Sequence, residues 1–169
     1  MLDAEILRLI DAILEPELAA QVETLHQTIG KLENEATLNG LGRSSTLLSA
    51  IHEENRRALD ARADLVWSTI TKVASNCDLA WSTTVLADLQ SAWRARFEPF
   101  VEELIAGLEN RAHLMGLGHL SLPDLKVDAG KIIGKTNATI ELFERRLRRN
   151  PPRYLQPNRF TTETQLQLD

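Results

Sequence analysis

The 169-residue sequence contains a single cysteine, Cys77, and no long apolar run. One thiol cannot form a disulfide within the chain, and a bilayer-spanning helix needs roughly 20 consecutive apolar residues. The sequence also opens without a positively charged, apolar leader, so we expect a soluble, cytoplasmic protein. A chain of this length buries enough surface to fold without a metal ion or disulfide, so no cofactor is expected.

Motifs for nucleophilic or phosphate chemistry are incomplete. Cys77 has no histidine beside it in the sequence, which leaves only a Cys-His pair assembled in space as an alternative. The segments Gly40-x-Gly42 and Gly116-x-Gly118 lack the preceding strand, the third glycine and the Lys-Ser/Thr ending of a phosphate loop. These gaps favour a non-enzymatic protein.

Charge is unevenly distributed along the chain, whose net charge is -5. Residues 1–40 carry eight acidic residues but only Arg8 and Lys31 as basic ones, whereas arginines crowd the region before the C-terminus. The negative net charge disfavours general binding to polyanions. An acidic face and a basic end on one chain make self-association electrostatically reasonable.

An internal repeat determines the expected architecture. Residues 32–42 match residues 108–118 at eight of eleven positions, and the shared residues are typical of helix ends and helix cores. We therefore divide the chain into one helical domain, residues 1–150, made of repeats 1–75 and 77–150. A polar tail without a core pattern, residues 151–169, follows Pro151 and Pro152, which stop the last helix.

Apolar residues recur with a helical period in four long segments. Short connections containing glycine join the first to the second and the third to the fourth. The pattern predicts an all-α protein, an antiparallel up-down-up-down four-helix bundle built from two tandem helical hairpins. The long helices are expected to be kinked near Pro16 and Pro99, or a new helix to start at Pro16. A dimer that exchanges hairpins between chains fits the pattern equally well.

Several polar residues are candidates for metal or structural roles. Glu23 and His26 have the Glu-x-x-His spacing of di-iron bundles, but the second repeat has no matching pair, so we interpret them as a surface pair. Glu33 and Glu109 recur near the two helix ends, where they are expected to accept hydrogen bonds from the start of the next helix. Arg62 is expected to extend toward solvent.

Aromatic and basic residues are the candidates for contacts with a partner protein. Trp81 is a possible binding anchor if it is exposed. The strongest candidate is the end of the fourth helix with the tail beyond it, because only part of its arginine content is explained by the helix dipole. The predicted partner-binding residues are Arg145, Arg146, Arg148, Arg149, Arg153, Tyr154 and Arg159.

The sequence thus predicts a helical protein-protein interaction or assembly subunit, an adaptor or chaperone-like protein whose C-terminal basic tail contacts a partner. One alternative is a nucleic-acid-associated subunit that binds phosphate through the same arginines. Another is a bundle that binds a metal ion or ligand through carboxylates.

Overall fold

The fold is described from a computed structural model, in which residues 4–77, 83–119 and 124–149 are described. Over these ranges the chain forms four α-helices and no strand: α1, Ala4–Leu38; α2, Ser45–Asn76; α3, Thr83–Leu114; and α4, Leu125–Arg149. The all-α class is therefore confirmed. The tail, residues 151–169, lies outside the described residues, and the division of the chain into a domain, repeats and a tail stays a prediction.

Both glycine loops end their helix in the same way. Gly40 and Gly116 have φ angles of 73° and 75°, a left-handed conformation that glycine adopts without steric cost. The amide of Leu41 donates to the carbonyl of Ala36 at 2.7 Å, and the amide of Gly40 donates to the carbonyl of Thr37 at 3.1 Å. This pair of bonds is the Schellman motif, and the second loop repeats both of them. The prediction that glycine ends these helices is confirmed.

Short polar side chains start the helices that follow the loops. Ser44 Oγ accepts a hydrogen bond from the amide of Leu47 at 3.1 Å, as its position after the glycine loop predicts. At the start of α4, Asp124 Oδ1 accepts from the amide of Lys126 at 2.8 Å. Asp124 is thus a cap of α4, whereas the cap predicted from the sequence, Ser121, lies outside the described residues.

The core is centred on α2 and α3. Trp93 and Phe97 of α3 are fully buried and stacked, with 4.7 Å between their ring centroids. The indole of Trp93 donates to the carbonyl of Ala63 in α2 at 3.2 Å, which ties the two helices together. Each outer helix adds an apolar stripe, made of Ile10, Leu14, Leu25 and Ile29 in α1 and of Leu125, Ala129, Ile132 and Ile140 in α4.

The contacts between helices are consistent with the expected bundle. Helix α2 packs against all three other helices, and α4 packs against α2 and α3. His52 lies 3.7 Å from Asp128, and Trp67 contacts Phe143, so residue numbers rise together along α2 and α4. Within the chain, α1 packs against α2 and α3 packs against α4, and the two pairs meet through the contacts of α2 with α3 and α4. The antiparallel arrangement of the whole bundle remains a prediction.

Both proline residues inside the long helices leave the helix continuous. Pro16 lies within α1 and Pro99 within α3, and no new helix begins at Pro16. The kinks expected at these positions stay a prediction. The first half of α1 is held to α3 by Arg96, whose Nε donates to Asp11 Oδ1 at 2.8 Å.

Candidate partner-binding groove

The predicted basic site is only partly covered by the described residues. Arg145, Arg146 and Arg148 are exposed at the end of α4, and Arg148 Nη2 donates to Glu144 Oε1 at 2.5 Å. Arg149 belongs to α4, but its side chain lies outside the described part of the chain. Arg153, Tyr154 and Arg159 also lie outside it, so their role as contacts stays a prediction.

A groove of about 400 Å³ runs between the C-terminal parts of α2 and α4, beside these arginines. Its aromatic floor is a pair of half-buried rings, Trp67 and Phe143, packed edge to face with 5.9 Å between their centroids. Leu142 is 56% exposed at its border. We call this the α2–α4 groove; its lining residues are Trp67, Ser68, Thr71, Lys72, Ser75, Thr139, Leu142, Phe143 and Arg146.

Hydroxyl groups in the groove donate to the backbone of their own helices. Thr71 Oγ1 lies 3.0 Å from the carbonyl of Trp67, Ser68 Oγ 3.0 Å from that of Leu65, and Thr139 Oγ1 3.0 Å from that of Lys135. Such local bonds are common for Ser and Thr within helices. The polar groups of the groove that remain for contacts with a partner are therefore mainly its cations, Lys72 and Arg146.

Three exposed cations lie along the groove and its continuation. Lys72 and Arg146 line one end. Lys135 lies about three turns before Arg146 on α4, where it lines a smaller cleft between the same two helices. Arg56 also lines that cleft, and its Nη2 donates to Glu53 Oε1 at 2.8 Å. This hydrogen bond lowers the pKa of the Glu53 carboxyl. Lys72 and Arg146 thus form a basic end of the groove, whereas the cleft of Lys135 is also lined by Asp60 and Asp128.

A second groove, of about 480 Å³, lies between α1 and α2. Its lining includes the small residues Ala20, Ala58 and Ala61. Arg57 also lines it, but Arg57 Nη1 donates to Glu54 Oε1 at 2.7 Å, so this cation is neutralised within α2. Glu17 and Glu54 line it as well, so the net charge of this groove is smaller in magnitude than that of the α2–α4 groove, which is lined by Lys72 and Arg146.

Glu33 does not play the part expected from the sequence. Its Oε1 accepts from Arg111 Nε of α3 at 3.0 Å, whereas the amide of Leu47 at the start of α2 is bound by Ser44. The expectation was wrong because a long side chain near a helix end can also reach a neighbouring helix. Nothing in the spacing of the repeat indicated Arg111 as the partner.

The residues considered for metal or nucleophile chemistry, Glu23, His26 and Cys77, lie within the described ranges. No cluster of three or more His, Cys, Asp or Glu side chains occurs there. Glu23 accepts a hydrogen bond from Gln27 at 2.8 Å, and His26 is exposed, which matches the surface pair expected. Cys77 is exposed at the end of α2. Trp81, the possible anchor, lies outside the described residues.

Polar side chains are also buried on the inner face of α2. Arg62 is only 8% exposed and its guanidinium lies 4.3 Å from the centroid of the Phe100 ring, so the expectation that it extends toward solvent was wrong. Burial lowers the pKa of Arg62, and the carboxylate of Glu103 partly opposes that shift. Two of its nitrogen atoms and Asn55 Oδ1 have no hydrogen-bond partner within the described residues. Neither Arg62 nor Asn55 lines the α2–α4 groove or the groove between α1 and α2.

Sequence reasoning found Arg146 but missed Lys72, Lys135 and the role of Trp67. Arg146 belongs to a dense run of arginines, which is visible along the chain. Lys72 and Lys135 are single lysines on different helices, and only the packing of α2 against α4 brings them to clefts between the same two helices. Such a juxtaposition has no local signal in the sequence.

None of the four helices, over the residues described, is both long and apolar enough to cross a bilayer. Comparisons with models of protein families, with curated proteins and with solved structures yield no match to this chain. The function of this chain is therefore inferred from the geometry and charge of its grooves.

Proposed function

We propose that this chain is a non-enzymatic helical interaction subunit that binds an acidic face of a protein partner through the α2–α4 groove. The observation that carries the proposal is the position of Lys72 and Arg146 beside the Trp67–Phe143 floor. Aromatic and arginine side chains are enriched among the residues that dominate protein interfaces. Arg145, Arg148 and the tail would extend the same basic surface.

The shape of the groove suits an amphipathic helix better than a small molecule. It is an open trough between two helices, and helices bind such troughs by inserting apolar side chains spaced three or four residues apart. The exposed Leu142 and the half-buried aromatic rings would contact that apolar face. Lys72 and Arg146 would pair with carboxylates that flank this apolar face and would set the partner's position.

Binding to nucleic acid through the same arginines is the alternative. Exposed Arg145 and Arg146 support it, but Glu141 and Glu144 lie in the same stretch of α4, and Glu144 holds Arg148. An acidic residue in a phosphate-binding surface repels the ligand. A long row of phosphates would also meet these carboxylates, whereas a partner helix with a few acidic residues can place them at Lys72 and Arg146, which line the groove without a carboxylate.

A designed peptide tests the proposal directly. The probe is a fluorescein-labelled amphipathic helix that carries two leucines flanked by glutamates, and its control has lysines in place of the glutamates. The full chain is expected to bind the acidic peptide, and Lys72→Glu/Arg146→Glu is expected to weaken that binding roughly tenfold or more.

The matched control variant is Arg94→Glu/Lys126→Glu, which changes the net charge equally at exposed positions away from the groove. This control variant should bind the acidic peptide with the same affinity as the unchanged chain. Equal binding of both peptides, or an equal loss in both variants, would contradict the proposal. Binding of a DNA duplex that falls steeply with salt, without binding of the acidic peptide, would favour the nucleic-acid alternative.

A further inference from the structure

The charge along the α2–α4 groove changes sign from one end to the other. Lys72 and Arg146 line the groove about one turn beyond its aromatic floor. On the other side of the floor, Asp64 is exposed on α2 four residues before Ser68, which lines the groove. Residues four apart lie on one face of a helix, so Asp64 lies on the groove side of α2, just outside the groove. The groove therefore has a basic end and an acidic border at the opposite end.

The cleft that continues the groove beyond this border carries charges of both signs. The charged residues that line it are Arg56, Asp60, Asp128, Lys131 and Lys135. Arg56 Nη1 lies 3.5 Å from Asp60 Oδ2. Lys131 Nζ donates to Asp128 Oδ1 at 3.0 Å. These pairs neutralise much of the positive charge of the cleft, so a carboxylate of a partner is attracted less strongly here than at the basic end of the groove.

The basic end of the groove coincides with the C-terminal ends of two helices. Lys72 lies four residues before the end of α2 at Asn76, and Arg146 three residues before the end of α4 at Arg149. A helix carries partial negative charge at its C-terminal end and partial positive charge at its N-terminal end. Acidic residues are also most favourable in the first turn of a helix. A helix whose acidic N-terminal turn lies at the basic end therefore matches both the cations and the dipoles of α2 and α4.

Positions along α2 set the spacing of the charges on such a helix. Asp64 and Lys72 are eight residues apart, about 12 Å along the helix axis at ~1.5 Å per residue. Trp67 lies between them, so the apolar side chains of the partner must lie between its two charges. Two residues about seven apart on a helix span roughly 10 Å and return to nearly the same face. Long glutamate and lysine side chains bridge the remaining difference of roughly 1.5 Å.

We infer that the partner of the α2–α4 groove is an amphipathic helix with an acidic first turn and a basic residue two turns later, which lies antiparallel to α2 and α4. The inference rests on the function proposed above and specifies the sequence pattern and the direction of the partner. The acidic turn contacts Lys72 and Arg146. The apolar residues contact the aromatic floor, and the basic residue contacts Asp64.

Two peptides test the charge pattern with the full chain. The dipolar peptide carries a glutamate, two leucines and a lysine in this order, with the lysine about seven residues after the glutamate. The second peptide is the glutamate-flanked helix described above, and a hydrocarbon staple on the solvent side keeps both peptides helical. Asp64→Lys should weaken binding of the dipolar peptide roughly threefold or more, because like charges then meet. The same variant should strengthen binding of the glutamate-flanked peptide, because a repulsion becomes an attraction.

Spin labels on the dipolar peptide test its direction in the groove. Ser75 and Asp60 are fifteen residues apart on α2, about 22 Å along the helix axis. A label at the N-terminus of the peptide should broaden the backbone amide signal of Ser75 more than that of Asp60. A label at the C-terminus should do the reverse. The matched control variant is Glu102→Lys, the same change in charge at an exposed position of α3, which should leave both affinities unchanged.

Changes of the same sign for both peptides in Asp64→Lys, or no change for either, overturn the inference. A C-terminal label that lies nearer to Ser75, or labels that broaden both amide signals equally, overturn it as well. If Lys72→Glu/Arg146→Glu still weakens binding of the glutamate-flanked peptide in those cases, the proposed function stands and only the pattern or direction of the partner is wrong. If neither peptide binds, or if that variant binds both peptides normally, both proposals fail.

Discussion

Arg111 Nε donates to Glu33 Oε1 at 3.0 Å and joins the corresponding ends of the two repeats. The first repeat has Glu35 where the second has Arg111, so the bond depends on one of the few differences between the matching segments. Two copies with glutamate at this position would place like charges near each other. The difference between the two matching segments at this position therefore makes the C-terminal parts of α1 and α3 complementary in charge.

Reversing the charge of Glu33 or of Arg111 is expected to lower the free energy of unfolding slightly. Reversing both charges is expected to restore the free energy of unfolding. Both side chains are partly exposed, so Arg111→Glu should lower the free energy of unfolding by about 0.5–1 kcal/mol. Urea unfolding of Glu33→Arg, Arg111→Glu and the double variant measures the coupling. Losses that simply add in the double variant would show that the two residues do not interact.

The two glycines of the second loop are expected to differ in their tolerance of alanine. Gly116 has a φ of 75°, so Gly116→Ala should lower the free energy of unfolding by about 1 kcal/mol through the backbone conformation alone. A Cβ at Gly118 would meet its nearest atom, His113 Cα, at 3.8 Å, an ordinary contact. Gly118→Ala should therefore change stability by less than about 0.5 kcal/mol. Equal losses in thermal or urea unfolding would contradict this account.

Local chemistry in the sequence predicted the helices and their ends well. The glycine loops and the Ser44 cap depend on residues within a few positions of each other, so their signals are visible along the chain. The position of Arg62 could not be predicted in this way, because burial over Phe100 depends on how α2 packs against α3. The groove was missed for the same reason, since Lys72 and Phe143 come together only through tertiary packing.

Replacing Arg62 with an apolar residue of similar length is expected to be tolerated. Two of its nitrogen atoms are buried without a partner in the described structure, and such desolvation costs free energy. Arg62→Met should leave the free energy of unfolding unchanged or raise it by about 1 kcal/mol. A loss of more than about 2 kcal/mol in urea unfolding would mean that the contact with Phe100 outweighs the desolvation.

Deleting the tail, residues 151–169, is expected to weaken partner binding without changing the fold. Residues 151–169 are polar and carry no core pattern, so deleting them should leave the helical circular dichroism and the thermal unfolding midpoint almost unchanged. The deletion also removes Arg153 and Arg159, which should weaken capture of the acidic peptide. Unaltered capture by the shortened chain would refute a binding role for the tail.

The central claim is that the α2–α4 groove binds an acidic helical face, and the indole signals of Trp67 and Trp93 test it most directly. Trp67 lies in the floor of the groove. Trp93 is fully buried and its indole donates a hydrogen bond to the carbonyl of Ala63, so Trp93 serves as an internal reference. During an NMR titration of the full chain with the designed acidic peptide, the Trp67 indole signal should shift and that of Trp93 should not. The shift should be lost in Lys72→Glu/Arg146→Glu. An unmoved Trp67 signal, or a shift that persists in that variant, would contradict the claim.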